Sequence, residues 1–303
     1  MSTRPAPESV FTYGAPALKF GDGASDEIGY DLAQLGARRA LVVTDPGVAA
    51  TGLPDRVAAQ MAQFGVEAVV FDAVHIEPTD ASMQAAIDWA RANGPWDALV
   101  AVGGGSSIDT AKAVNLLLTN PGELIDYVNA PVGGGRAPIN PLHPLVAVPT
   151  TTGTGAESTT ICVMDVLAQR VKSGISHARL RPTLAVVDPA LTLTQPAGVT
   201  ASAGMDILCH ALESYTARAI HRGRAQGAGA AGAVLRFEPH LGHVVREGAF
   251  PDGIELPARG GPRRGPRSAS LDGAGRDVRR PGLRQRRRAH PARQCLSDRG
   301  PGA

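Results

Sequence analysis

Two stretches of the chain carry residue types at spacings that can do chemistry. The first is Gly103-Gly104-Gly105-Ser106-Ser107-Ile108-Asp109-Thr110-Ala111-Lys112. It follows the apolar run Ala98 to Val102 and precedes a segment with helical spacing, so the order is strand, glycine turn, helix. A helix start leaves backbone N–H groups unpaired and carries partial positive charge. Glycines keep side chains away from those groups, and the turn can then receive a phosphate. Ser106 reads as the N-cap, and Asp109 as a first-turn acid that suits the helix dipole. The other reading is a glycine-rich turn with no ligand.

The second stretch holds Asp206 and His210, four residues apart on a helical pattern and so on one helix face. A carboxylate and an imidazole at that spacing can share a divalent ion, and such a pair suits iron, zinc, manganese or nickel once further ligands join. A simple Asp–His hydrogen bond on the helix surface is the alternative. Three lesser candidates complete the set. Asp45 closes the strand Arg39 to Thr44, where an acid can hold a ribose or adenine edge, or cap the next helix. Thr150, Thr151 and Thr154, with Thr159 beyond them, cluster hydroxyls and glycines after a strand. They can donate to a phosphate, sugar or nicotinamide amide, or form an ordinary turn. Lys172 stands in a segment leading toward the strand Leu184 to Val187, either reaching a cofactor or lying solvated on the surface.

These residues need elements to hold them. An edge strand is predicted within Phe11 to Phe20, a helix over Asp26 to Leu35 ending at Gly36, and a strand over Arg39 to Thr44. A helix over Leu53 to Phe64, a strand over Ala68 to Phe71, a helix over 81–93 and the strand 98–102 follow. Strand and helix alternate at the rhythm of a parallel α/β sheet, whose ligands sit at the carboxyl ends of the strands. Asp45 and Gly103 to Ser106 both fall there. Beyond a proline- and glycine-rich loop at 129–144 come the strands Leu145 to Val148 and Leu184 to Val187, then a long helical pattern to Tyr215.

Composition bounds the setting. The chain has 303 residues, enough for two domains, and no 18-residue apolar run, so no membrane span or membrane partner is expected. Met1 to Val10 lacks the apolar stretch of a secretory signal, and three scattered cysteines build neither a disulfide scaffold nor a zinc cluster. A reducing, cytoplasmic setting is expected. The net charge of +2 hides a break. Residues 1–218 hold 13 Lys plus Arg against 21 Asp plus Glu, a balance of −8, whereas residues 219–303 hold 17 Arg against 7 acids, a balance of +10.

Taken together, GGGSSIDTAK at 103–112, VPTTTGTGAE at 148–157 and GMDILCHALESY at 204–215 resemble the iron-containing (group III) alcohol dehydrogenase family. That family is related in fold to dehydroquinate synthase and glycerol dehydrogenase. HIEPTD at 75–80, DYVNAP at 126–131, VKSGI at 171–175 and RPTLAVVDP at 181–189 look most like its hydroxyacid–oxoacid transhydrogenase branch. The resemblance covers about residues 10–218. It implies a dinucleotide-binding α/β domain over 1–200 and the first helix of an all-helical, metal-binding domain over 201–218. Carried over by position, Asp45 would sit near the adenosine ribose, and Gly104, Gly105 and Ser106 would hold the pyrophosphate, with Gly103 and Asp109 also among the cofactor-binding residues. Thr150, Thr151 and Thr159 would line the nicotinamide side, with Lys172 nearby and Thr154 also among the cofactor-binding residues. Asp206 and His210 would be two of four ligands to iron or zinc. The implied cofactors are NAD or NADP and that ion. The implied partners are a small alcohol, hydroxyacid (such as 4-hydroxybutyrate) or oxoacid (such as 2-oxoglutarate), and a second copy of the intact protein.

The tail departs from this pattern. No H-x-x-x-[HY]-P segment, which would bring the family's third ligand, is present, and 219–303 is rich in Arg, Gly, Pro and Ala, a composition that does not build a core. A disordered basic extension and a nucleic-acid arm are two readings, the latter the less favoured. A shifted reading frame explains more, because those residues have GC-rich codons. Residues 285–295 can be encoded so that starting one base later gives Asn-Ala-Gly-Val-His-Ile-Pro-His-Ala-Asn, the missing histidine segment. Residues 233–245 in the same frame can give Pro-Tyr-Cys-Gly-Ser-Asn-Pro-Ile-Ser-Asp-Met-Trp, which resembles the branch just after its ESYT helix. The chain as it stands is then expected to fold poorly beyond 218 and to be inactive.

Overall fold

The structure, a computed structural model, describes residues 14–216. The tail 219–303 and its expected disorder lie outside the described residues. Among the described residues, eight strands occur in chain order: β1 (Ala17–Phe20), β2 (Arg39–Val43), β3 (Glu67–Phe71), β4 (Ala98–Gly103), β5 (Leu145–Pro149), β6 (Ile161–Val166), β7 (Val171–Ser176) and β8 (Leu184–Val187). Seven α-helices join them: α1 (Ile28–Gln34), α2 (Pro46–Ala49), α3 (Leu53–Gln63), α4 (Asp80–Asn93), α5 (Gly105–Thr119), α6 (Leu124–Tyr127) and α7 (Ala197–Thr216). Six strands form one parallel sheet in the order β1-β8-β5-β4-β2-β3, with β1 at the edge as its weak alternation implied.

Strand periodicity divides the core into two. Leu41, Val43, Leu99, Ala101, Leu145 and Ala147 point to one face, against Met83, Ile87, Ile108 and Leu116 of α4 and α5. Their neighbours Ala40, Val42, Val100, Val102, Val146 and Val148 point to the other face, against Ile28 and Leu32 of α1 and Val57 and Met61 of α3. Side chains alternate across a strand, so a strand apolar at every position must be covered on both faces. At about 25 cal/mol per Å² of buried apolar surface, these two layers supply the main force holding the sheet.

One segment differs from the sequence reading. Residues 161–176 form an antiparallel hairpin, β6 paired with β7, instead of an approach to β8. Cys162, Met164 and Val166 alternate inward onto the α4–α5 face and leave Val163 and Asp165 outward. The hairpin thus reads as a half-buried ribbon lying on the helices. Helix α4 begins at a capping box: Thr79 Oγ1 accepts from Ser82 N at 3.0 Å, and Thr79 N donates to Ser82 Oγ at 2.9 Å. This fixes where the loop 74–79 ends, at the mouth of the strand termini.

Candidate functional site

The carboxyl ends of β2, β4, β5 and β8 open into a cleft of about 670 Å³, lined among others by Asp45, Gly104, Gly105, Ser106, Thr150, Thr151, Leu191 and Gln195. That volume lies within the usual range for a small-molecule site. Parallel sheets bind ligands at this edge because helix N-termini and glycine turns converge there.

The floor is the glycine turn. Gly103 has φ +154, and a Cβ there would collide with the Ser107 side chain. Gly104 is the N-cap of α5, with no side-chain cap bond, and this corrects the reading of Ser106 as cap. Ser106 lies inside the first turn, where its Oγ accepts a long bond of 3.4 Å from Glu77 N. Backbone N–H groups at the start of α5 therefore have no side-chain acceptor of the capping kind, as a phosphate site requires.

Asp45 at the tip of β2 performs the capping role and faces the cleft as well. Its Oδ1 accepts from Gly47 N and Val48 N, each at 3.0 Å, and its Oδ2 from Ser107 Oγ at 3.2 Å. On the other side, Thr150 N donates to Gly103 O at 3.0 Å. Thr151 and Thr154 come within 3.2 and 3.1 Å of where a Cβ on Gly104 and Gly105 would stand.

Asp109 is one turn into α5, not in its first turn. Its Oδ2 accepts from Val163 N at 2.9 Å, and its Oδ1 lies 3.4 Å from Lys112 Nζ. Burial pushes the Asp109 carboxyl up and the Lys112 ammonium down, each partly offset by the other's charge. Thr159 Oγ1 accepts from Lys112 Nζ at 3.0 Å. Lys172 is more than half exposed and pairs with Glu77, whose hydrogen bond raises its pKa; it is not part of the cleft lining. Asp206 Oδ1 and His210 Nε2 are 3.6 Å apart on α7, both well exposed. That is beyond a hydrogen bond but near enough for one ion to touch both. Val199 of the same helix lines the cleft, and Ala203 abuts Gly153, so the pair stands about two and three turns beyond Val199 at the cleft wall.

Sequence reading missed four contributors. Lys112 is wholly buried. Its signal was position: a lone cation four residues after Ile108, on the apolar face of its helix. Ser107, also fully buried, pairs with Asp45 across 62 residues, which no local pattern shows. Asp188 at the tip of β8 accepts from Ser25 N at 3.2 Å, Ser25 Oγ at 2.6 Å and Ala190 N at 3.1 Å. Burial alone would raise its pKa, yet these bonds hold the carboxyl below its ordinary value. Arg56 reaches Ser25 Oγ at 2.9 Å and lines the cleft.

A dinucleotide-type cleft on a parallel sheet, with a helix bearing Asp206 and His210 at its rim, defines the class. The family model for iron-containing alcohol dehydrogenase matches residues 15–189, and the chain belongs to that family. Among curated relatives it is 43% identical over 213 residues to the hydroxyacid-oxoacid transhydrogenase, mitochondrial, of Bos taurus, covering 70% of this chain and 46% of that protein. The Homo sapiens protein of the same name is 42% identical over 213 residues, covering 70% and 45%. Among solved structures it is similar to 1,3-propanediol oxidoreductase (35% identity, TM-score 0.63, 69% of this chain and 53% of that one). It is also similar to sulfoacetaldehyde reductase from Bifidobacterium kashiwanohense in complex with NAD+ (30% identity, TM-score 0.63, 69% and 54%). The chain spans about half the length of the proteins it matches.

The residues present fit a nicotinamide nucleotide: a side-chain-free turn at a helix start, flanked by hydroxyls, opens into a cleft of suitable size. They do not fit a complete metal site. Asp206 and His210 offer one oxygen and one nitrogen, and among the described residues no group of three or more His, Cys, Asp or Glu converges. No helix among the described residues is long and apolar enough to cross a membrane.

Proposed function

We propose that residues 14–216 are the nucleotide-binding part of an oxidoreductase that moves hydride between a small hydroxyacid, such as 4-hydroxybutyrate, and an oxoacid, such as 2-oxoglutarate, through NAD or NADP. The carrying observation is the turn Gly103 to Ser106 at the tip of β4, uncapped by any side chain and facing the cleft. Its N–H groups would take the pyrophosphate, Asp45 the adenosine ribose, and Thr150 and Thr151 the side toward the nicotinamide. Thr154, Thr159 and Asp109 hold that side from behind, and Lys172 steadies the loop carrying Glu77. The bound nucleotide supplies the hydride acceptor or donor. The branch is supported by the curated relatives' names and the identity to them.

Asp206 and His210 would be half of an iron or zinc site, and no step is assigned through it. The rest of that site is proposed to be lost with a shift of reading frame after about residue 218, which leaves the 303-residue chain able to bind nucleotide but not to turn over. An NAD-dependent alcohol dehydrogenase acting on a simple alcohol is the second reading, favoured by the likeness to 1,3-propanediol oxidoreductase. A frame-corrected protein separates the two: transhydrogenation without exchange of free nucleotide supports the first, and alcohol-dependent release of reduced nucleotide the second. Free Cys162 and Cys209 suit a reducing compartment. The cytoplasm is the proposed one, although the relatives' names say mitochondrial. An intact homologue would form a homo-oligomer; neither a membrane nor nucleic acid is a proposed partner.

A further inference from the structure

We propose that Lys112 is a positioning residue that pins the loop 150–160, and that it sets affinity for the nicotinamide half of the cofactor without affecting the adenylate half. The inference rests on the reading of the cleft as a nucleotide site.

Lys112 has no exposed surface, although it carries an ammonium. Such burial is costly unless the group is paired and hydrogen-bonded. Its Nζ donates to Ile161 O at 2.7 Å and Thr159 Oγ1 at 3.0 Å, and lies 3.4 Å from Asp109 Oδ1. Two of these three partners belong to the far end of the loop and the start of β6. Asp109, one turn earlier on α5, takes Val163 N at 2.9 Å. Helix α5 therefore grips β6 at residues 161 and 163 from within its own buried face.

The near end of the loop is held by Thr150 N on Gly103 O at 3.0 Å. Both ends are thus fastened to one β4–α5 unit, which also carries the glycine turn. Between them, Thr151 and Thr154 press on Gly104 and Gly105, and Gly153 and Gly155 take φ of +153 and +62. Glycine takes these angles without strain, so the loop's shape is set by the contacts at its ends. Release of the Lys112 end frees Thr159 and Ile161, and the hydroxyl wall moves off the glycine turn.

The effect falls on one half of the ligand because of strand order. In the sheet β4 lies between β5 and β2. The loop stands at the tip of β5 and touches α7 through Gly153 and Ala203, toward Asp206 and His210. Asp45 stands at the tip of β2 and is held by Ser107, Gly47 and Val48, none of which depends on Lys112.

The test is calorimetric binding of NAD and of AMP, the adenylate half alone, to the full 303-residue chain and to K112M and T159V. K112M and T159V are expected to weaken NAD at least tenfold while AMP changes less than twofold. Equal losses for both ligands would mark Lys112 as merely structural and overturn the proposal. Unchanged NAD binding in the variants, with the parent binding both ligands, would overturn it too and leave the cleft reading intact. A parent chain that binds neither ligand would instead sink the nucleotide reading itself. Should K112M fail to fold, as judged by loss of a cooperative thermal transition, T159V decides alone.

Discussion

Helices α5 and α7 each carry a chemical motif, yet the protein treats them in opposite ways. Ten of the fifteen residues of α5 are buried, against two of the twenty in α7. Polar groups in α5 are matched: Lys112, Asp109, Ser107 and Asn115 all have partners from other elements. By contrast α7 leaves Met205, Ile207, Leu208 and Leu212 at least 40% exposed, beside an Asp–His pair with no third donor among the described residues. An apolar helix exposed on this scale is one whose cover residues 14–216 do not supply. On the proposed reading, residues 14–216 carry a covered nucleotide site and an uncovered helix with two of the metal ligands.

A glycine-to-alanine pair should expose the contrast most strongly. At Gly103 the new Cβ meets Ser107 and a strained φ, so G103A is expected to lose nucleotide affinity at least a hundredfold and about 2–3 kcal/mol of stability. At Gly204, where nothing lies within 4 Å, G204A should leave binding unchanged and stabilise α7 by about 0.5–1 kcal/mol. Isothermal titration and urea unfolding read both. Parent-like binding by G103A would break the comparison.

Removal of the buried hydroxyl in S107A leaves one lobe of Asp45 unpaired, at an expected cost of about 1–2 kcal/mol in urea unfolding and a several-fold loss in ADP-ribose affinity. Asp188 gives a pH signature. Its folded pKa lies below the unfolded 3.8, so its contribution is present above 3.8 and lost as pH falls from there through the folded value. D188N should unfold more readily at neutral pH and show a flatter acid limb than the parent below pH 3.8. Parallel limbs would show that the Ser25–Asp188 bonds contribute nothing.

Much of this was legible in the sequence because it is local. Charge-free strands, glycine turns and helical spacing are properties of neighbouring residues, so the parallel sheet and the placement of Asp45 beside Gly103 to Ser106 follow from them. The hairpin 161–176 was not legible, because its alternation is interrupted by Gly174 and its partner strand is itself. Ser106 looked like a cap because capping preference favours serine. In the structure the turn needs Gly104 there, and Ser106 moves into the helix. Lys112 escaped notice because its partners, Thr159 and Ile161, lie 47 and 49 residues away.

The smallest effect is also diagnostic. L212E on the open face of α7 should change the stability of this chain by no more than about 0.5 kcal/mol, since the side chain is 47% exposed. The same substitution in a frame-corrected protein should cost several-fold more, and thermal unfolding of the two pairs would show whether α7 gains a cover.

One preparation tests both halves of the proposal, that residues 14–216 bind a nicotinamide nucleotide and that Asp206 and His210 alone do not hold a metal ion. The purified 303-residue chain is dialysed against iron or zinc, its metal content measured, and NAD titrated into the same sample with 4-hydroxybutyrate and then 2-oxoglutarate added. Saturable NAD binding with metal far below one equivalent and no turnover is the predicted result. Near-stoichiometric metal together with substrate-dependent reduction of NAD would contradict it.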